Sequence, residues 1–164
     1  LSGFLFGQVF YVHLVGFFIV LFGTRAIIAW LGERKSLILV PVLTGTVLTY
    51  FLTRGTAQAI ALVYVLIRSI NYAFAYPLRE SLYIPTTKEV KFKSKSWIDA
   101  FGAKVAKGCG GFYNVATAGF AESFASIVHA GFFGIVILLW IATAHLLGRR
   151  FERAVARNEV IGEV

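Results

Sequence analysis

The chain has 164 residues, 58% of them hydrophobic and 15% charged, with a formal net charge of +8 and a mean hydropathy of +0.76. Soluble domains carry about 25% charged residues, so a water-soluble enzyme is excluded, and the long apolar runs are those of helices in a bilayer. The positive charge clusters in short segments between those runs, which argues against nucleic acid as a partner. The lone cysteine, Cys109, rules out an internal disulfide and gives no metal cluster.

No methionine occurs anywhere, position 1 included, and no signal-peptide n-region precedes the first apolar run. The chain reads as the C-terminal piece of a longer protein. Five apolar stretches, each near the roughly 20 residues that a bilayer requires, divide it into an all-α, polytopic membrane bundle. The first span, about 4–30, ends in the basic turn Gly32-Glu33-Arg34-Lys35, with Arg25 placed to snorkel and His13 mid-span. The second, about 36–52, carries Pro41, Gly45 and threonines 44, 46, 49 and 53, whose hydroxyls can bond back to the helix or across to a neighbour. A tight turn at Arg54-Gly55-Thr56 follows.

The third span, about 58–83, contains Arg68, Asn71, Tyr72, Tyr76, Arg79 and Glu80. At helical pitch Arg68, Tyr72, Ala75 and Arg79 fall within about 60° of one another, a polar stripe on an apolar helix. The stripe either lines a path or is structural, its arginines pairing with Glu80 and nearby carbonyls. Pro77 should kink this helix and Pro85 end it. Thr86–Ser96 then reads as a basic loop holding Lys88, Lys91, Lys93 and Lys95, at the least a topology signal.

In the fourth span, about 97–120, Asp99, Ala103, Ala106, Lys107, Gly110 and Asn114 share one face. Phe101, Val105 and Phe112 occupy the opposite one. A small, polar front with an aromatic back suits a helix that lines a cavity, or one that packs closely around a buried Asp–Lys pair. The fifth span, about 124–147, is almost featureless, with His129 and His145 near its ends. The basic tail, 148–164, carries Arg149, Arg150, Arg153 and Arg157 and reads as an amphipathic or frayed segment outside the membrane.

Loops alternate sides in a five-span chain. Residues 25, 34, 35, 88, 91, 93, 95, 149, 150, 153 and 157 then put eleven of the sixteen cations on one face, against Arg54 alone on the other. The positive-inside rule makes the richer face cytoplasmic, with the C-terminus inside.

Arg79-Glu80, Tyr83-Ile84-Pro85, Lys91-x-Lys93-x-Lys95, Ile98-Asp99, Gly102 and Lys107 form an ordered series over about thirty residues. The series resembles the nucleotide transporter family, the ATP/ADP carriers of intracellular bacteria and plastids, whose pattern runs Lys/Arg-Glu, Tyr-Ile-Pro, Lys-x-Lys-x-Lys, Ile-Asp-x-x-Gly, Gly-Lys-Ser-Gly-Gly. Ala106, Gly108 and Cys109 depart from the last element but keep those positions small. The turn at Leu31–Ser36 is similar to one found throughout the major facilitator superfold.

The resemblance implies a twelve-helix, major-facilitator-like carrier, with this chain as helices eight to twelve and the family's earlier acidic residues outside it. Lys107 matches the family lysine implicated in transport, and Asp99 the aspartate before it. A polyanionic substrate needs cations that can bind and release it, a role open to Lys107, Arg68 and Arg79. Asn114 or the tyrosines could meet base or ribose.

The expected substrate-binding set is therefore Lys107, Asp99, Asn114, Arg68, Arg79 and Glu80. No catalytic residue, metal or cofactor is expected, and no phosphate-binding Gly-x-x-x-x-Gly-Lys-Ser/Thr motif suggests hydrolysis. The leading expectation is exchange of ATP for ADP across a bacterial inner membrane or, alternatively, the plastid inner envelope. Its partners are membrane lipids and the N-terminal helices of the same carrier. A lipid-binding membrane assembly protein and a different metabolite symporter of the superfold are the alternatives.

Overall fold

A backbone in hydrocarbon finds no water for its amides, and the chain satisfies them almost wholly within helices. The computed structural model describes residues 2–19, 24–54 and 56–160. The snorkelling expected of the Arg25 side chain, the part of the first span over 20–23, and Gly55 of the expected tight turn fall outside the described residues. Helix α1 is Ser2–Phe18 and α2 is Arg25–Arg54. Helix α3, residues 57–81, joins Ala57–Ile70 and Tyr76–Ser81 through a π-helical turn, Asn71–Ala75. Helix α4, residues 88–117, likewise joins Lys88–Trp97 and Ala103–Thr117 through a second π turn, Ile98–Gly102, and α5 is Glu122–Ala156. Among the described residues there is no strand.

Among the described residues three helices are long and apolar enough to cross a membrane: Ala26–Arg54, Gln58–Ser81 and Ser123–Ala156. They overlap the second, third and fifth expected spans, but the first of them also takes in residues 26–35, so the tail of the expected first span and the basic turn belong to α2. Side chains such as Ile127, 70% exposed, and Leu138, 67% exposed, stand outward on α5, where lipid rather than water suits them. Val9–Phe18 of α1 is a shorter apolar helix, and α4, with its cations, falls below that degree of apolarity.

Local chemistry explains the breaks. Gly32, at φ 77° and ψ 162°, interrupts α2 where the basic turn is expected, a conformation that a residue with a Cβ adopts at a cost. Ser36 is fully buried and its Oγ has no hydrogen-bond partner among the described residues. In an unbroken helix its acceptor would be the Gly32 carbonyl, which the extended ψ carries out of helical register. Thr44, Thr46 and Thr49 each donate to the carbonyl four residues back at 2.9 Å, and Thr53 to that of Tyr50, so all four bond back to their own helix.

The kink expected at Pro77 takes the form of the π turn before it. Pro77 has no N–H for the Ala73 carbonyl, and its ring would clash with that carbonyl in a regular helix. The widened turn makes room, with Tyr76 N–H reaching back to the Asn71 carbonyl. Thr24 Oγ1 takes the freed Ala73 carbonyl at 2.8 Å across 49 residues of chain. A second such clasp, Ser69 Oγ to the Val12 carbonyl at 3.2 Å, holds α1 to α3.

Helix α3 ends at Ser81, two residues before its expected limit, and turns through residues 82–85. The basic segment beyond is helical rather than a loop. Thr87 accepts from Val90 N–H to cap it, Glu89 pairs with Lys93 at 3.5 Å one turn on, and no proline or glycine interrupts residues 88–101. The tail is ordered too. Helix α5 runs nine residues past the expected end of its span, to Ala156, because Phe151 and Ala154 on it are buried.

The core lies where α2, α3 and α5 meet: Leu37 and Val40, Phe74, Ala75 and Leu78, and Ala144. Between helices in lipid such contacts stabilise by close packing rather than by dehydration. Two glycines bring α2 and α5 together. A Cβ at Gly148 would lie 3.1 Å from the Arg34 backbone, and one at Gly45 would lie 3.2 Å from Ile137 Cγ2. At the same end Arg34 pairs with Glu152 at 3.2 Å and approaches His145 Nε2 at 3.5 Å.

Candidate functional site

The π turn of α3 faces two adjoining clefts. The first, about 300 Å3, is lined by Val40 and Thr44 of α2, by Ile67, Arg68, Ile70, Asn71 and Ala75 of α3, and by Trp140 of α5. The second, about 360 Å3, shares Val40, Asn71, Ala75 and Trp140 and continues past Leu78, Arg79 and Thr143. Because Pro77 forces the wide turn, Asn71 sits at the seam between them. Such turns recur at functional sites.

Arg68 and Arg79 border these clefts, one in each. The Arg68 guanidinium donates to Tyr72 Oη at 3.2 Å and lies 5.4 Å from the centre of the Tyr64 ring. Arg79 donates through Nη2 to Asn71 Oδ1 at 3.3 Å and through Nε to the Ala75 carbonyl at 3.4 Å. Both arginines are exposed, and among the described residues neither has a carboxylate partner. Their remaining N–H donors suit an anion, since a guanidinium presents a planar fork to phosphate oxygens.

Glu80 turns the other way. It bonds Lys95 directly and lies 3.7 Å from Lys91, while those ammonium groups stand over the Tyr76 and Tyr83 rings at 5.9 and 5.8 Å. The hydrogen bond from Lys95 to Glu80 is the first cause that raises the Lys95 pKa above the ordinary lysine value. Glu80 thus anchors the basic end of α4 and does not neutralise Arg79.

Asp99, Lys107 and Asn114 lie on α4 and line neither cleft. Asp99 belongs to the second π turn, and all three are exposed. Among the described residues no ion pair joins Asp99 to Lys104 or Lys107. A methyl group at Gly108, Gly110 or Gly111 would meet nothing within 4 Å, and Cys109 is exposed. The small, polar face of α4 is uncovered.

That helix touches the others chiefly near its ends. Glu80 holds the basic end, and at the other Tyr113 stacks on Phe132 with ring centres 4.1 Å apart. Tyr113 Oη lies 2.5 Å from His129 Nδ1, either group donating according to the imidazole tautomer. His129 is therefore a partner of α4. Sequence reasoning missed Trp140 and Thr143, and a tryptophan in the middle of a long apolar helix is the signal that could have found the first.

Residues 15–151 match the family model described as TLC ATP/ADP transporter. The chain belongs to that family. The match takes in both π turns, both clefts and all six expected site residues. Nucleotide transport by an integral membrane protein is the activity of the family. No solved structure matches the chain.

Proposed function

We propose that the chain forms part of a secondary exchanger of ATP for ADP, binding nucleotide through Arg68 and Arg79 at the paired clefts and through Lys107 on α4. The observation that carries this reading is the pair of arginines bordering the clefts at the π turn, exposed and without a carboxylate partner among the described residues. Two fixed cations with free donors attract a polyphosphate, and a largely aliphatic wall suits the rest of a nucleotide. Lys107 adds a compact, hydrated charge that can bind and release phosphate. Asn114 lies on its face of α4 two turns on, Asp99 sits in the π turn before it, and Glu80 holds the basic end of α4. No hydrolytic step is invoked; the opposing ATP and ADP gradients drive exchange, and the carrier couples them by binding and releasing nucleotide in both its inward- and outward-facing states.

In this reading the uncovered polar face of α4 meets N-terminal helices of the same carrier, completing a cavity. All five helical segments serve as spans, α1 and α4 shielded by those helices. The membrane is a bacterial inner membrane, or alternatively a plastid inner envelope, with anionic lipids against the cytoplasmic cations.

The test is nucleotide uptake by the full-length carrier in proteoliposomes loaded with ADP. ATP uptake that depends on internal ADP and is lost in Arg68→Leu is expected. Uptake indifferent to internal nucleotide would remove exchange, and wild-type uptake by Arg68→Leu would remove the cleft.

A further inference from the structure

The clefts have a second chemical feature, separate from their cations. Trp140 lines both and is 41% exposed, and among the described residues no other ring and no cation stacks on it. It sits mid-way along Ser123–Ala156, whereas tryptophans of membrane helices gather at the two interfaces. Trp140 is not one of the core residues, although Leu37 and Ala144 of that core line the second cleft beside it.

Asn71 stands beside it at the seam. Its Oδ1 is engaged by Arg79, which fixes the amide and leaves the Nδ2 donors available. Thr44 and Thr143 donate their hydroxyl protons to carbonyls of their own helices, so among the neutral side chains lining the clefts the Asn71 amide and the Trp140 indole N–H are the donors left to a ligand. The site thus combines an open aromatic face, one oriented amide and a guanidinium at each side.

From this we infer that Trp140 is the stacking platform for the purine base of the transported nucleotide, with Asn71 donating to an acceptor on the base edge. The inference rests on the nucleotide reading above and deepens it by assigning the base. Stacking depends on ring area, so a purine gains more than a pyrimidine from the same indole. The arginines then take the phosphate end, and Trp140 acts as the selector that they cannot be, because every nucleoside triphosphate presents the same phosphates.

The full-length carrier in proteoliposomes provides the test, with ATP, CTP and inorganic tripolyphosphate as probes. In Trp140→Leu the KM for ATP is expected to rise about ten- to hundredfold, the range of a lost base–aromatic stack. CTP should be affected much less, and tripolyphosphate should compete as in the wild type. Trp140→Phe should restore most of the ATP affinity.

A second measurement does not depend on the leucine variant folding. In carrier whose other tryptophans are replaced by phenylalanine, ATP should quench Trp140 fluorescence and tripolyphosphate should not. Unchanged KM for ATP in Trp140→Leu, equal losses for ATP and CTP, or equal quenching by both probes overturns the assignment. If ATP is transported and Arg68→Leu abolishes it, those outcomes remove only the role of Trp140. If no nucleotide is transported at all, the nucleotide reading falls with it.

Discussion

Arg79 and Glu80 are neighbours in sequence and separate in space. A helix turns 100° per residue, so one carries its charge to the clefts and the other to the lysines of α4. That division leaves Arg68 and Arg79 without carboxylate partners among the described residues, which has a testable consequence. Arg68→Leu should lower exchange by about tenfold or more, the scale of one lost charge-assisted bond, with little change in membrane level. Parallel loss of uptake and protein would make the arginine structural.

Lys107→Gln should leave insertion intact and strongly reduce exchange, because the lysine has no partner among the described residues whose loss could unfold the helix. Lys107→Arg should rescue it only partly, since the planar head has a different shape. Lys104, about 60° away around the helix, should tolerate glutamine better. Equal sensitivity at 104 and 107 would sink the distinction. Spacing at regular pitch put Arg68 and Arg79 on one face, but the π turn between them shifts that register, and each borders its own cleft. The service of Glu80 to Lys91 and Lys95 was not legible in spacing, because periodicity says which residues share a face but not which other helix lies against it.

At the scale of elements, α4 is held near its ends and uncovered between them. Glu80→Gln removes the carboxylate that holds two lysines, so hydrogen exchange over residues 88–97 should quicken while α2 and α5 keep their protection. Equal exchange in variant and wild type would show that the cluster does not hold the helix. The raised pKa of Lys95 sets the pH window. Its contribution is complete below the ordinary lysine value of 10.5 and fades only as pH rises through the raised value, so neutral pH leaves the ammonium in place.

Helices α2 and α5 make the opposite case. Gly148→Leu would drive a side chain into Arg34, and overpacking of that kind costs about 1–3 kcal/mol, visible as a lower melting temperature of the purified carrier. The sequence announced the helices by their apolar runs, and Pro77 announced the kink. It could not announce that Lys88–Trp97 is helical, because four lysines read as a loop until Thr87 is seen capping them. The tail misled for a related reason: its helical continuation depends on the burial of Phe151 and Ala154, and burial is not visible in a run of arginines.

For the whole molecule, the distribution of charge sets the orientation in the bilayer. Arg54 ends α2, and the lysines of 88–97 begin α4, with α3 between them as a helix long enough to cross. The two sites should therefore face opposite sides, the lysines in the cytoplasm by the weight of the basic residues. Cys109 is exposed and would label in its own right, so the experiment begins from Cys109→Ser. In that background Arg54→Cys and Phe92→Cys, both at exposed positions, are treated with an impermeant maleimide on sealed cells. Arg54→Cys should react at once, and Phe92→Cys only after the membrane is opened. Reaction of both from outside would mean that α3 does not cross, and the alternation of loops on which the five-span topology depends would be lost. Reaction of Phe92→Cys alone would keep the crossing and invert the orientation, making the charge asymmetry a property of the site rather than of insertion.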